Sequence, residues 1–164
     1  AEGEGRNAVY AAIQGFEVEA FDQSEEGKKK AMQLAEINSV KINYTTVSAD
    51  TIGYKKESFD LLVMVFAHFP EILRRDLHRW FSSLVKKGGG IILEGFSKEH
   101  SKFQDENPNA GGPKHWEMLY DLEELKTDFS DFDFQEAYIS ETILSEGAYH
   151  KGKASVVRFF GTKR

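Results

Sequence analysis

Two stretches of this chain are apolar on consecutive residues rather than on alternate ones: Phe-Asp-Leu-Leu-Val-Met-Val-Phe at 59–66 and Ile-Ile-Leu-Glu-Gly-Phe at 91–96. A strand that is apolar on both sides must be covered on both sides, which is the condition of a central strand in a parallel sheet. Between the two runs, Pro70 opens a helical stripe of Leu73, Leu77, Trp80, Phe81 and Leu84, and Lys-Lys-Gly-Gly-Gly turns the chain into the second run. Strand, helix and strand of this kind make one β-α-β unit, and the remainder is expected to build around it.

The flanking segments extend the alternation. From residue 6, Val9, Ala12 and Ile13 share a helical face, and Gly15 can end that helix. A strand from Phe16 to Phe21 closes on Asp22, and Ser24 can cap a helix whose inner face carries Ala31, Leu34 and Ala35. Lys-Ile-Asn-Tyr-Thr-Thr-Val at 41–47 alternates polar and apolar residues, as an edge strand does. After the second apolar run, Ser97 to Trp116 contains Asn-Pro and Gly-Gly-Pro and reads as loop. A short helix with Met118, Leu122, Leu125 and Phe129 inward follows, then strands near 132–144 and 155–162. The turn between those strands is too short for a helical crossover, so the last pair is expected to be antiparallel. The fold class is therefore α/β, with helices on both faces of the sheet and an antiparallel last strand.

Bulk properties narrow the function. A chain of 164 residues suits one domain, and a net charge of −6 does not suit a nucleic-acid binder. The absence of cysteine removes disulfides, thiolate metal sites and cysteine nucleophiles. No apolar run approaches the roughly 20 residues of a membrane span. A cytoplasmic location is the default expectation.

The remaining signal is at the start. Gly3-x-Gly5-x-x-Ala8 has the form of a loop that leaves a strand, enters a helix and holds a nucleotide, with an acidic residue, Asp22, at the next strand end. Taken by itself this fits a nicotinamide-dinucleotide fold as well as others. That fold repeats parallel units, however, and does not finish in an antiparallel hairpin.

The stretches AEGEGRNAVYAAIQGFEVEAFDQS, FDLLVMVF and KKGGGIILEG, with the closing hairpin, resemble the class I S-adenosylmethionine-dependent methyltransferases across the whole chain. The first stretch is most similar to the small bacterial tellurite-resistance methyltransferases, and ILEGFSKE, GGPK and EGAYHKGKAS to a neighbouring branch. Ala1 stands where that family usually has its first glycine. The resemblance implies a Rossmann-like sheet whose first strand is central, between the strands at 16–21 and 59–66. The single domain over 1–164 is thus expected to be N-terminally incomplete, with a helix and that first strand upstream of Ala1 absent from it.

The resemblance also implies the residues of a cofactor site. Ala1, Glu2, Gly3 and Gly5 would form the loop, and Arg6 and Asn7 the start of the helix behind it. Asp22 would accept from both ribose hydroxyls, with Gln23 and Ser24 bordering ribose and adenine. The adenine position falls on Ser48, Ala49 and Asp50, a departure from the family's usual Asp followed by a small residue. Phe66 would line the methionine side. The cofactor is S-adenosylmethionine, its product S-adenosylhomocysteine, and no metal is expected.

Methyl transfer is an in-line displacement, and a base is needed only if the acceptor carries a proton to remove. His68, Tyr149 and His150 are the catalytic candidates, because they leave the carboxyl edge of the strands where ligands sit in open α/β sheets. Glu94 and Glu146 are expected nearby. His78 is expected on the surface, and His100 and His115 in a solvated loop. Gly111, Gly112, Gly147 and Gly152 would let the two longer connections move as a lid. The expected partner is a small-molecule methyl acceptor, with no nucleic acid and no membrane, on a monomer or homodimer. The alternative function is binding of S-adenosylmethionine without turnover, or an interaction role on the same fold.

Overall fold

The computed structural model describes residues 1–145 and 150–164. They fall into two compact units, Ala1–Gly53 and Tyr54–Arg164.

The first unit contains helix α1 (Arg6–Ile13), strand β1 (Glu19–Asp22), helix α2 (Glu25–Ile37) and strand β2 (Asn43–Thr46), with β1 and β2 paired in parallel. Its core is Ala8, Val9, Ala20, Ala31, Ala35, Ile42 and Tyr44. Ile13 is half exposed, so the inner face of α1 lies one turn earlier than the spacing suggested. Strand β1 also starts later than expected. Gly15 sits at φ 90°, and the Phe16 amide donates to Ala11 O at 3.2 Å. That 6→1 bond is a helix C-terminal closure. It uses the Phe16 amide on the helix and leaves the ring exposed. Ser24 caps α2 as expected, its Oγ accepting from the Gly27 amide at 2.9 Å.

The second unit is a four-stranded sheet in the order β3-β4-β6-β5, formed by β3 (Phe59–Val65), β4 (Val85–Phe96), β5 (Phe132–Ser145) and β6 (Lys151–Lys163). Strands β3 and β4 are parallel, and β6 lies antiparallel between β4 and β5. This is the expected antiparallel ending. Within this sheet β3 is an edge strand, with only Met64 fully buried and Val63 44% exposed. Helix α3 (Glu71–Leu84) follows β3, and helices α4 (Ser101–Glu106) and α5 (Leu122–Asp128) come between β4 and β5. The segment read as loop from Ser97 thus contains a 3-10 turn (Lys98–His100) and α4, anchored by buried His100 and Phe103.

Helix α3 buries a different stripe from the one its apolar residues suggested. Leu77, Phe81 and Leu84 are inside, but Leu73 is 44% exposed while Arg74 and His78 are buried. Buried polar groups need partners. Arg74 donates to Glu117 O at 2.7 Å and to the Glu124 carboxylate at 2.6 Å. His78, expected on the surface, pairs its Nδ1 with Asp128 at 2.8 Å and is fully buried. Among the described residues no helix is long and apolar enough to cross a membrane.

Candidate functional site

The expected site residues divide between the two units. In the first, the glycine loop lies along the end of β1. The Glu2 amide donates to Phe21 O at 3.0 Å, as does the Ala1 nitrogen at 2.9 Å. The Gly3 amide donates to Asp22 Oδ2 at 3.0 Å, and the Ser24 amide to Asp22 Oδ1 at 2.9 Å. One carboxylate therefore ties the loop to the start of α2. Each oxygen takes one backbone amide, and a carboxylate has about four acceptor positions, so acceptor capacity remains.

The two glycines of the loop do different things. Gly3 is at φ 66°, and a Cβ placed on it would meet nothing within 4 Å. It gives the backbone an open face. Gly5 is at φ 86°, and a Cβ there would lie 2.4 Å from Ala31 Cβ. It is needed for packing α1 against α2 rather than for approach to a ligand. Gly27 has a similar role on the facing helix, where a Cβ would come 2.8 Å from Gly3 O.

The N-terminus of α1 is already partly occupied. Glu2 Oε1 accepts the Ala8 amide at 2.9 Å, satisfying one of the donors that a helix start leaves open. Burial raises the Glu2 carboxyl above its ordinary range, and the Ala8 and Asn7 amides oppose that shift. The first turn of α1 therefore holds a carboxyl group of the chain itself. Arg6 and Asn7 are exposed in that turn.

On the other side of Asp22, Gln23 Nε2 donates to Ser48 Oγ at 3.4 Å, and Ser48 Oγ donates to Asp50. Ala49 is buried beside them. The three adenine-side residues and Gln23 are thus brought together. One residue that sequence reasoning missed is Tyr44, whose hydroxyl donates to Gly3 O at 2.6 Å. Its signal was present: it occupies an inward position of the alternating edge strand. Burial raises the Tyr44 hydroxyl pKa, which keeps it a donor.

In the second unit, Phe66 follows β3 at φ 52°, an uncommon conformation for a residue with a side chain. Its amide donates to Glu94 O at 2.7 Å. Its ring lies 4.7 Å from Phe96 and 5.0 Å from His150, and the His150 ring is 5.5 Å from Phe96. Phe66 packs on the core of Phe96, Leu119, Leu144, Ala154 and Val156. Glu94 does not join this cluster as an unpaired acid; it forms an ion pair with Arg158 at 2.7 Å.

His68 is placed at the expected edge, but both its nitrogens are engaged by backbone. Nδ1–H donates to Met118 O at 2.9 Å, and Nε2 accepts the Phe96 amide at 3.1 Å. Burial lowers its pKa to about 4. His100 is fully buried rather than solvated, its ring 4.1 Å from Phe96. His115 is exposed as expected, its Nδ1 3.5 Å from Glu117. Tyr149, Glu146 and Gly147 lie outside the described residues. Among the described residues, no three or more His, Asp or Glu side chains come together in a way that could hold a metal. A groove of about 300 Å³ lined by Glu71, Arg74, Arg75, Glu124, Thr127 and Asp128 contains none of the expected site residues.

Comparison with known proteins bears on both units. Residues 1–89 match a family model described as a methyltransferase domain. No curated protein sequence matches at a significant level. Among solved structures, TehB from Haemophilus influenzae is similar with a TM-score of 0.75 and 16% identity, over 99% of this chain and 55% of that one. A putative methyltransferase from Bacillus halodurans C-125 is similar with a TM-score of 0.75 and 15% identity, over 99% of this chain and 90% of that one. Magnesium protoporphyrin IX methyltransferase from Synechocystis PCC 6803, solved with bound SAH, gives 0.70 and 16%, over 99% and 71%. At such identities the likeness is one of fold, a Rossmann-like class I methyltransferase sheet. The chain spans little more than half the length of TehB.

Proposed function

The chain belongs to the methyltransferase domain family, and on that premise we propose that it transfers a methyl group from S-adenosylmethionine to a small-molecule acceptor. The observation that carries this reading is the Asp22 carboxylate, which holds the Gly3 amide and the Ser24 amide at once. That fixes an acidic acceptor beside a glycine whose outer face is open. Two adjacent ribose hydroxyls need such an acceptor, and an adenosine needs the loop beside it kept free of side chains. The residues present therefore suit the donor.

Asp22 would accept from the ribose hydroxyls, and Gln23, Ser48, Ala49 and Asp50 would border the base. Glu2 and Asp22 make the loop locally acidic, which favours the cationic end of the donor over an anion. When bound, S-adenosylmethionine supplies a methyl group on a sulfonium that is already an excellent leaving group. The chain then has mainly to position and exclude water, and positioning alone is worth up to about 7–11 kcal/mol in favourable systems.

Phe66, packed on the buried Phe96 ring, offers apolar surface on the acceptor side. In this reading the group that removes a proton from the acceptor is His150, whose ring lies tilted against Phe66 and edge-on to Phe96. A histidine suits a proton on a hydroxyl, thiol or amine near neutral pH. A net charge of −6 favours a small acceptor over a polyanion.

The test is calorimetric titration of the full-length protein with S-adenosylmethionine and S-adenosylhomocysteine, followed by a screen of small acceptors with labelled donor. Binding of both with label transfer to an acceptor is expected. Binding without transfer to any acceptor class favours a non-catalytic role, and no binding removes the reading. Once an acceptor is known, His150→Ala should lower turnover and leave donor affinity unchanged.

A further inference from the structure

The connection from Asn107 to Asp121, between α4 and α5, is fastened to the sheet by two histidines. His68 reaches it from the segment after β3, donating Nδ1–H to Met118 O at 2.9 Å. Its other nitrogen, Nε2, accepts the Phe96 amide of β4 at 3.1 Å. His100 repeats the arrangement with its nitrogens exchanged. Its Nε2–H donates to Gly111 O at 3.2 Å, and its Nδ1 accepts the Ser155 amide of β6 at 3.3 Å. A carbonyl can only accept and a backbone amide can only donate, so the partners fix the tautomers: Nδ1–H for His68 and Nε2–H for His100. Both rings also stack on Phe96, at 5.8 and 4.1 Å.

We propose that His68 and His100 form a proton-sensitive latch on residues 107–121: neutral imidazoles hold this strap to the sheet, and protonation of either releases it. A neutral imidazole has one donor and one acceptor, and each ring uses both. An imidazolium has two donors and no acceptor. Protonated His68 would aim an N–H at the Phe96 N–H, and protonated His100 would do the same to Ser155. The other ties of the strap do not titrate near neutrality in this way. Among the described residues, Gln104 donates to Gly111 O and Pro113 O, Arg74 to Glu117 O, the Tyr120 amide to Phe96 O, the Lys98 amide to Tyr120 O, the Tyr120 hydroxyl to Ala67 O, Asn107 Nδ2 to Lys151 O and the Lys151 amide to Asn109 O, and Lys98 lies 3.8 Å from Asp121.

The surroundings of the two rings favour the neutral form. Burial is the main cause for both, lowering His68 from 6.5 to about 4 and His100 in the same direction. The groups that face His68 are Arg74 of α3, Tyr120 of the strap, His100, and His150 of the β5–β6 connection; His150 also faces His100. None of these is a carboxylate, and Arg74 opposes a second positive charge. The sign follows. An open strap returns His68 to its ordinary value, so the open state binds more protons between about pH 6.5 and pH 4. The latch is fully closed above that window and loses hold as pH falls through it. From His68 alone the ratio of closed to open falls about tenfold between pH 7.5 and 5.5, and His100 adds to that.

The latch itself does not depend on the methyl-transfer reading; only its consequence, a strap that opens the acceptor side in acid, rests on it. The test uses the full-length protein without cofactor or acceptor. Nitrogen-15 NMR of the imidazoles at neutral pH should show opposite tautomers at His68 and His100. Hydrogen exchange, normalised for intrinsic rates, should show the Leu119, Tyr120, Phe96 and Ser155 amides losing about tenfold or more in protection from pH 7.5 to 5.5, while the middle of the β5–β6 ladder holds. Glutamine has a donor and an acceptor but does not titrate, so in His68→Gln/His100→Gln the strap's protection should be flat with pH. Matching tautomers, or unchanged protection of the strap in the natural protein, overturns the latch and leaves the methyl-transfer reading standing. Both NMR and exchange results are obtained on the natural protein, so the idea remains testable if the double variant does not fold.

Discussion

Replacing Asp22 by alanine removes two kinds of interaction at one position. Within the protein it frees the Gly3 and Ser24 amides, now held at 3.0 and 2.9 Å. Both sit near the surface and can turn to water, so the intrinsic cost is modest, about 1 kcal/mol. With the donor bound, it also removes the acceptor for the ribose hydroxyls. Hydrogen bonds to a charged group are worth about 1.5–3 kcal/mol each, and two on one carboxylate overlap, giving about 2–4 kcal/mol in affinity. That is roughly thirty-fold or more in Kd. Asp22→Asn should fall between the natural protein and Asp22→Ala, because one acceptor oxygen remains while an NH2 group is turned toward a backbone N–H. The assay is titration calorimetry with S-adenosylhomocysteine, which binds without turnover, beside urea unfolding of the free protein. A folded Asp22→Ala variant with unchanged affinity would refute the placement of Asp22 in the donor site.

Three further outcomes are expected. Gly5→Ala should lower stability by roughly 2–4 kcal/mol, combining a left-handed φ with a Cβ 2.4 Å from Ala31 Cβ; adding Ala31→Gly should recover the packing part only, as urea unfolding of the single and double variants will show. Tyr44→Phe removes the hydroxyl that fixes Gly3 O and should weaken S-adenosylhomocysteine binding by about 0.5–1.5 kcal/mol, with thermal unfolding nearly unchanged. Asp128→Ala leaves the buried His78 Nδ1–H without its acceptor and should cost about 1–3 kcal/mol of unfolding free energy; Asp128→Asn, which keeps an acceptor for Nδ1–H, should cost less than half as much, and equal losses would show that a neutral acceptor cannot replace the carboxylate.

Much of this architecture was legible because it rests on local pattern. The runs at 59–66 and 91–96, the Pro70 helix start, the Ser24 cap and the short turn before the last strand each constrain their own few residues. Together they give the order of elements and the antiparallel ending. That the glycine loop meets the acidic strand end was legible for the same reason: Gly3 and Asp22, 19 residues apart, belong to one contiguous unit. The extent of β1 was not legible, because the Phe16 amide is taken by the closing turn of the helix before it.

Side chains whose partners lie far along the chain were misjudged. Nothing in Arg-Arg-Asp-Leu-His-Arg-Trp-Phe says that His78 is inside; Asp128, fifty residues later, makes it so. His100 stands in a polar stretch and is buried because Gly111 O and the Ser155 amide both reach it. For His68 the place after a strand end was legible, while the partners of its nitrogens, Met118 O and the Phe96 amide, were not.

The sequence by itself determined most of the strands and helices and how the last strand runs, since propensity, periodicity and turn length act over a few residues. Only the tertiary structure decided what each polar side chain does. A buried donor or acceptor takes its role from the group that satisfies it, and that group is brought up by the fold.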